Sequence, residues 1–274
     1  MADNTTAERL KKVEAFIGLI VVLMLGILTW QQTYAYRDSE TLWMDTLKKN
    51  PQSWMAYNNL GIIRSEQGNL EDGIEYFTKA LTLNPAHVEA YNNLGAAYTK
   101  LDRLPEAIAA YEQALAIMPN HPKTRNNRGI IYAKEGKLDY AIEEYKKAVS
   151  VRPRYIEAWY NLGNTYLKKD SLDEAIAAYK QVLAIKPRHA ETHVNLGAAY
   201  LTNNSLDEAI LHLKKALAID PTLANAHINL ASVYYLQGNY RLAVQEYERV
   251  KKLGYNVPPE LREALKPYVS EGIL

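Results

Sequence analysis

Cysteine is absent from this chain of 274 residues. That removes thiol nucleophiles, disulfides and thiolate metal sites. Phenylalanine is scarce, with 2 residues against 21 tyrosines. Tyrosine therefore fills apolar positions while keeping a polar tip, as suits the margin of a thin core. Neither sign of charge dominates: 32 Lys and Arg stand against 31 Asp and Glu, a net charge of +1. A bulk basic field for nucleic acid and an acidic tail are both excluded. No Gly-rich phosphate loop is present, and nothing sets a nucleophile beside a base and an orienting group. The expectation is a protein that is not an enzyme and carries no cofactor and no metal.

One long uncharged run is present. Residues 15–36 carry no charged side chain, and their centre is Phe16-Ile-Gly-Leu-Ile-Val-Val-Leu-Met-Leu-Gly-Ile-Leu-Thr-Trp30. At about 1.5 Å per residue such a helix reaches roughly 33 Å, enough to cross a hydrocarbon layer. Phe16, Trp30, Tyr34 and Tyr36 sit at its ends, where an aromatic belt belongs. A cleaved signal would need small residues after the run, and Thr33-Tyr34-Ala35-Tyr36 does not supply them. Arg9, Lys11 and Lys12 precede the run, and Arg37 alone follows closely. The positive-inside rule then keeps residues 1–14 in the cytoplasm and places the rest outside it. The expectation is a single-pass protein of the bacterial inner-membrane kind, with its bulk extracytoplasmic.

Prolines fall at 51, 85, 119, 153, 187 and 221, always 34 apart. A fixed period of this size signals a repeat array. On that register Leu60, Leu94, Leu162, Leu196 and Leu230 align, with Arg128 as the exception. Beside them run Gly61, Gly95, Gly129, Gly163 and Gly197, then Ala231. Further columns hold Tyr98, Tyr132, Tyr166, Tyr200 and Tyr234, then Ala107, Ala141, Ala175, Ala209 and Ala243, then Phe77, Tyr111, Tyr145, Tyr179, Leu213 and Tyr247. Each period predicts two short amphipathic helices, with a break near Gly68, Asp102, Gly136, Asp170, Asn204 or Gly238. The small Gly and Ala columns let the two helices approach, and the proline ends the second.

Trp159-Tyr-Asn-Leu162-Gly163-Asn-Thr-Tyr166, followed by Ala175, Tyr179 and Pro187, strongly resembles the tetratricopeptide (TPR) repeat. The resemblance covers residues 52–254. It implies an all-α fold, a right-handed TPR superhelical solenoid of six helix-turn-helix repeats: 52–85, 86–119, 120–153, 154–187, 188–221 and 222–254. Residues 37–51 put Ser39 and Trp43 in the small and aromatic columns, so they predict a half-repeat capping helix. No Pro or Gly lies between Gly26 and Pro51, so the membrane helix is expected to run into this cap. Residues 255–274 predict a C-terminal capping helix and tail, with Leu261 and Leu265 turned inward.

Asparagine occupies one column without exception: Asn59, Asn93, Asn127, Asn161, Asn195 and Asn229. With the aromatic column (Tyr57, Tyr91, Trp159) at zero and 100° per residue, the Gly column lies at about 40° and the Asn column at about 200°. The Asn side chains are therefore expected to face away from the packing within a repeat. A side-chain amide matches the N–H and C=O of an extended peptide. Helices about 8–10 Å apart would offer one Asn per three peptide residues or so. The column resembles the asparagine ladder of O-linked GlcNAc transferase repeats, and that resemblance implies a groove gripping peptide backbones with little sequence preference. The alternative is an Asn that is solvated or bonded to the neighbouring repeat.

Repeat three departs from the pattern. Arg125 replaces the aromatic residue, Arg128 replaces Leu, and Lys123 completes a basic spot. Either it docks an acidic group of a partner, or the two Arg stems lie over a loose seam with their heads in water. Arg64 raises the same question. His193 and His227 occupy the aromatic column and are expected to stand in for core aromatics, while His87, His121 and His189 share a unit boundary.

The function expected is a membrane-anchored scaffold that binds partner proteins or extended peptides in its groove and assembles a membrane complex. The junction from Thr29 to Gly61 is also similar to that of multi-span glycosyltransferases ending in such repeats, which implies a non-catalytic accessory of such a system. Self-association is the third reading. No nucleic-acid partner is expected.

Overall fold

The structure is a computed structural model, and it describes residues 17–18, 20–25 and 39–270. Most of the expected span, 15–36, lies outside the described residues, as does the junction to the first cap. Residues 17–18 and 20–25 are helical. Among the described residues no helix is long and apolar enough to cross a membrane.

The chain divides into two compact units, Met1–Ala110 and Tyr111–Leu274. The first contains α1 (Ser39–Lys49), α2 (Trp54–Glu66), α3 (Leu70–Leu83), α4 (Val88–Lys100) and the start of α5 (Leu104–Ile117). The second contains the rest of α5 and α6 (Pro122–Lys134), α7 (Leu138–Val151), α8 (Ile156–Lys168), α9 (Leu172–Ile185) and α10 (Ala190–Thr202). It goes on with α11 (Leu206–Ile219), α12 (Ala224–Leu236), α13 (Tyr240–Lys252) and α14 (Pro259–Ser270). Helix is the only regular element among the described residues.

The 34-residue period is reproduced by the backbone. The first helix of every repeat, the A helix, has 13 residues. Its end is set by the break residue. Gly68, Gly136 and Gly238 have φ of +87°, +75° and +73°, and Asp102, Asp170 and Asn204 take +60°, +61° and +55°. Glycine reaches this region without strain, and Asp and Asn are the side chains that tolerate it best. The next N–H then bonds back across the last turn: Ser171 N to Tyr166 O at 2.9 Å, Lys137 N to Tyr132 O at 2.8 Å. Carbonyls that the helix end would orphan are satisfied in this way. The chain reverses, and the second helix of the repeat, the B helix, packs on its own A helix.

The Gly column makes that packing close. A Cβ at Gly163 would stand 2.6 Å from the Tyr179 ring, and one at Gly61 2.6 Å from that of Phe77. Phe77, Tyr145 and Tyr179 are fully buried as a result. Where Ala231 replaces the glycine, its partner Tyr247 is only half-buried. These B-helix tyrosines correct the expectation that Tyr marks the core margin. Tyr179 keeps its hydroxyl satisfied inside by donating to Asn164 Oδ1 at 2.6 Å. Of the A-helix tyrosines, Tyr166 and Tyr234 are buried too and Tyr200 is half-buried, while Lys146, Lys180 and Lys214 approach their rings.

In the first unit α1 packs on α2. Glu40 of α1 accepts from Arg64 at 2.5 Å and from Gln67 at 2.9 Å, so Arg64 is a tie to the preceding helix. In the second unit α14 packs on α13, Leu261 and Leu265 are buried, and Tyr268 stacks on Tyr240 with centroids 3.9 Å apart.

Candidate peptide groove and the asparagine ladder

The A helix of one repeat touches the A helix of the next: α2 with α4, α6 with α8, α10 with α12. The Asn column lies at these contacts. Asn59, Asn93, Asn127, Asn161, Asn195 and Asn229 are all half-buried. The amide of Asn161 donates to Asn126 Oδ1 at 3.1 Å. Asn195 donates to Tyr160 Oη and to Asn164 Oδ1, both at 3.1 Å. Asn93 approaches Asn58 Oδ1 at 3.5 Å, a long contact. Asn59, in the first repeat, turns instead onto Met55 O at 2.8 Å.

The helical wheel places the column correctly off the in-repeat face. The alternative of an Asn bonded to the neighbouring repeat describes Asn161 and Asn195, joints whose donor ends are engaged on the repeat before them. The residues that receive a ladder amide, Asn58, Asn126 and Tyr160, lie in a second column that Asn92 shares, and its three asparagines are buried. The signal is present in the sequence as Asn58-Asn59, Asn92-Asn93 and Asn126-Asn127. The first amide of such a pair is the acceptor for the ladder Asn of the following repeat, as Asn126 is for Asn161.

The basic spot of repeat three is corrected more sharply. Arg125 Nη1 lies 3.1 Å from Glu144 Oε1, and Arg128 Nη2 lies 2.8 Å from the same oxygen. All three side chains are largely buried, at 11%, 17% and 6% exposure. They neither reach for a partner nor lift their heads into water. Among the described residues the Nε of Arg128 is the buried side-chain polar atom left without a bond. Of the expected docking residues, Lys123 alone stands exposed.

The pairing follows a rule that repeat register alone does not reveal. The aromatic column of helix A faces the residue 19 positions on, in helix B. Tyr57 faces Tyr76, Arg125 Glu144, His193 His212, and His227 Glu246. The same column also bonds backward. Arg125, Trp159, His193 and His227 each bond through a ring or guanidinium nitrogen to the carbonyl of the proline six residues earlier, at 2.8–3.0 Å. His193 and His227 are buried in these roles.

Two of the boundary histidines, His87 and His189, are helix caps. His87 Nδ1 accepts from Ala90 N at 2.9 Å, and His189 Nδ1 accepts from Thr192 N at 3.3 Å. Each satisfies one N–H that the first turn of an A helix would leave bare. Among the described residues no three His, Asp or Glu side chains converge as a metal site would require.

Repeat length, helix pairing and column chemistry define a TPR protein. A profile of the family described as Cilia and flagella-associated protein 70 C-terminal domain matches residues 28–253, and the chain belongs to that family. No curated protein matches the chain. Solved structures do. YrrB, described as a TPR protein with an unusual peptide-binding site, is 24% identical, with 67% of this chain and 95% of that one covered and a TM-score of 0.56. MamA is 26% identical, with 59% and 94% covered and a TM-score of 0.54. Pseudomonas aeruginosa pilF is 16% identical, with 80% and 97% covered and a TM-score of 0.67. These likenesses establish the fold.

Proposed function

We propose that this chain is a membrane-anchored TPR scaffold that holds an extended segment of a partner protein along the A-helix face of its second unit. One observation carries the reading. The amides of Asn161 and Asn195 are oriented by the preceding repeat, so their donor ends are occupied and their carbonyl ends are left over. Asn161 and Asn195 each direct Nδ2 inward, and neither Oδ1 takes a bond from the described residues. A row of fixed acceptors suits the N–H groups of a strand-like segment. Fixing a side chain beforehand also lowers the entropy cost of binding. The uncharged run at 15–36 supports the anchor, and the basic residues before it support an extracytoplasmic array.

The test is a gentle detergent extraction of the full chain, followed by pull-down and mass spectrometry. Asn229→Ala is the informative variant, because its amide bonds to no neighbouring repeat among the described residues. Asn161→Ala and Asn195→Ala complete the set. Loss of the recovered partners is the expected result, and an unchanged partner list in the threefold variant overturns it. Carbonate washing and protease accessibility test the anchor and its orientation. The family description supplies a second setting, a cilium or flagellum, which imaging of the tagged chain separates from a general membrane distribution.

A further inference from the structure

Within the second unit, one stretch of the A-helix face is hollowed into a cavity of about 470 Å³. Tyr160, Glu191, Asn195, Asp220 and Tyr255 line it. Two of these side chains are carboxylates, and among the described residues no Lys or Arg lines the hollow. Asn195 has both amide hydrogens engaged on Tyr160 and Asn164, so its carbonyl is what remains. Asp220 takes Thr222 N and Oγ1 on Oδ1, at 2.9 and 2.7 Å, which fixes the carboxylate in place. Those two bonds, the hydroxyl first, also hold its pKa below the usual carboxylate value.

The Glu191 carboxylate is 64% exposed and lies 3.5 Å from His189 Nδ1, a nitrogen that also accepts from Thr192 N. Two tyrosines complete the lining. The Tyr160 ring is half-buried, and Tyr255 is 57% exposed on the loop that Gly254 turns at φ +80°. Large exposed aromatics beside a hollow are how proteins present a flat π surface to a ligand.

We infer that this cavity seats a lysine or arginine side chain of the bound segment, so that the partner is a basic extended peptide. Two carboxylates, an amide carbonyl and two aromatic rings all favour one kind of guest. It must be cationic, rich in N–H donors and carried on an apolar stem. Ring faces attract such a cation, and an acidic guest would meet like charge from Glu191 and Asp220. This reading rests on the proposed groove and adds its selectivity. The groove amides set backbone register, and the cavity chooses what side chain falls in it.

The experiment uses the full chain in detergent and three fluorescein-labelled nonapeptides of alternating Gly and Ser. They carry Arg, Gln or Glu at positions four and seven, and anisotropy is read at 50 and 300 mM salt. The Arg peptide is expected to bind at least about tenfold more tightly than the Glu peptide, with the gap shrinking at high salt as exposed charges are screened. Glu191→Gln and Tyr255→Ala, both at exposed side chains, should each remove most of that preference. Equal binding of all three peptides overturns the cation site and leaves the groove standing. A preference that survives the double variant overturns it as well. No binding of any peptide overturns the cation site and counts against the groove reading too.

Discussion

Arg125 meets Glu144 at the two positions where the next repeat places Trp159 and Ala178. A packed ring over a methyl group has been exchanged for a charge pair, and Arg128 joins the same carboxylate. Burying such charges is costly, and removing one partner strands the others. Glu144→Ala is therefore expected to cost roughly 3–5 kcal/mol. Rebuilding the neighbour's chemistry, with Arg125→Trp, Arg128→Leu and Glu144→Ala together, should be neutral or stabilising by about 1–4 kcal/mol. Urea unfolding midpoints of the two variants decide the matter. A mild single variant, or a triple variant no better than it, contradicts the account.

Gly163 leaves no room for a methyl group. Its neighbour on that side is the ring of Tyr179, itself fully buried. Gly163→Ala should lower stability by about 1–3 kcal/mol through overpacking, despite the better helix propensity of alanine. Pairing it with Tyr179→Leu, as repeat five does with Gly197 and Leu213, does not relieve the clash, since Leu213 atoms also stand 2.6 Å from that Cβ position. Thermal melts followed by circular dichroism give the readout, and a single variant as stable as the parent refutes the close contact.

Acid sensitivity is expected to concentrate at repeat five. His193 donates from Nε2 to Pro187 O, so its Nδ1 accepts from His212 Nδ1–H at 2.9 Å. Burial first, then His193, Lys215 and Lys180, pushes His212 down from 6.5 to about 4. Burial first, then Lys215 and His189, lowers His193 too, against an opposing pull from the Pro187 carbonyl. The unfolded chain then binds more protons than the folded one as pH falls below about 6.5. The stability contributed by the neutral pair is present in full above that value and is lost as pH falls towards about 4. His212→Gln should flatten the stability curve over this window, and a slope identical to the parent's argues against the pair.

The joint between repeats can be measured as a coupling. Asn161 and Asn126 share one bond across two A helices. A double-mutant cycle with Asn161→Ala and Asn126→Ala should return a coupling of about 1 kcal/mol. Asn229→Ala, which breaks no bond to another repeat among the described residues, should leave stability nearly unchanged. Additive singles at 126 and 161 remove the ladder's structural half.

Much of the architecture is legible in the order of residues. The six break residues, including the non-glycines Asp102, Asp170 and Asn204, occupy the left-handed positions that their spacing implies. The Gly column announces the close approach of helix A to helix B. The site is legible only by half. The Asn column can be read and its side of the helix derived, but the wheel of a single helix contains no neighbour. His87 and His189 as caps are hidden by residue type, since Ser, Thr, Asp and Asn are the usual signals at that position.

The repeat itself is written in the chain: a 34-residue period, two helices per period, and the face each turns to its own partner. Local backbone preference and apolar periodicity suffice for that, and both act within a few residues. The use of the polar residues is settled at a different level. Arg125 and Glu144 are 19 residues apart, Asn195 and Tyr160 are 35 apart, and Glu191 meets Tyr255 only across a shared hollow. Those relations follow from how an antiparallel pair aligns its helices and how one pair stacks on the next. It took that packing to decide which amides are joints and which arginines are internal.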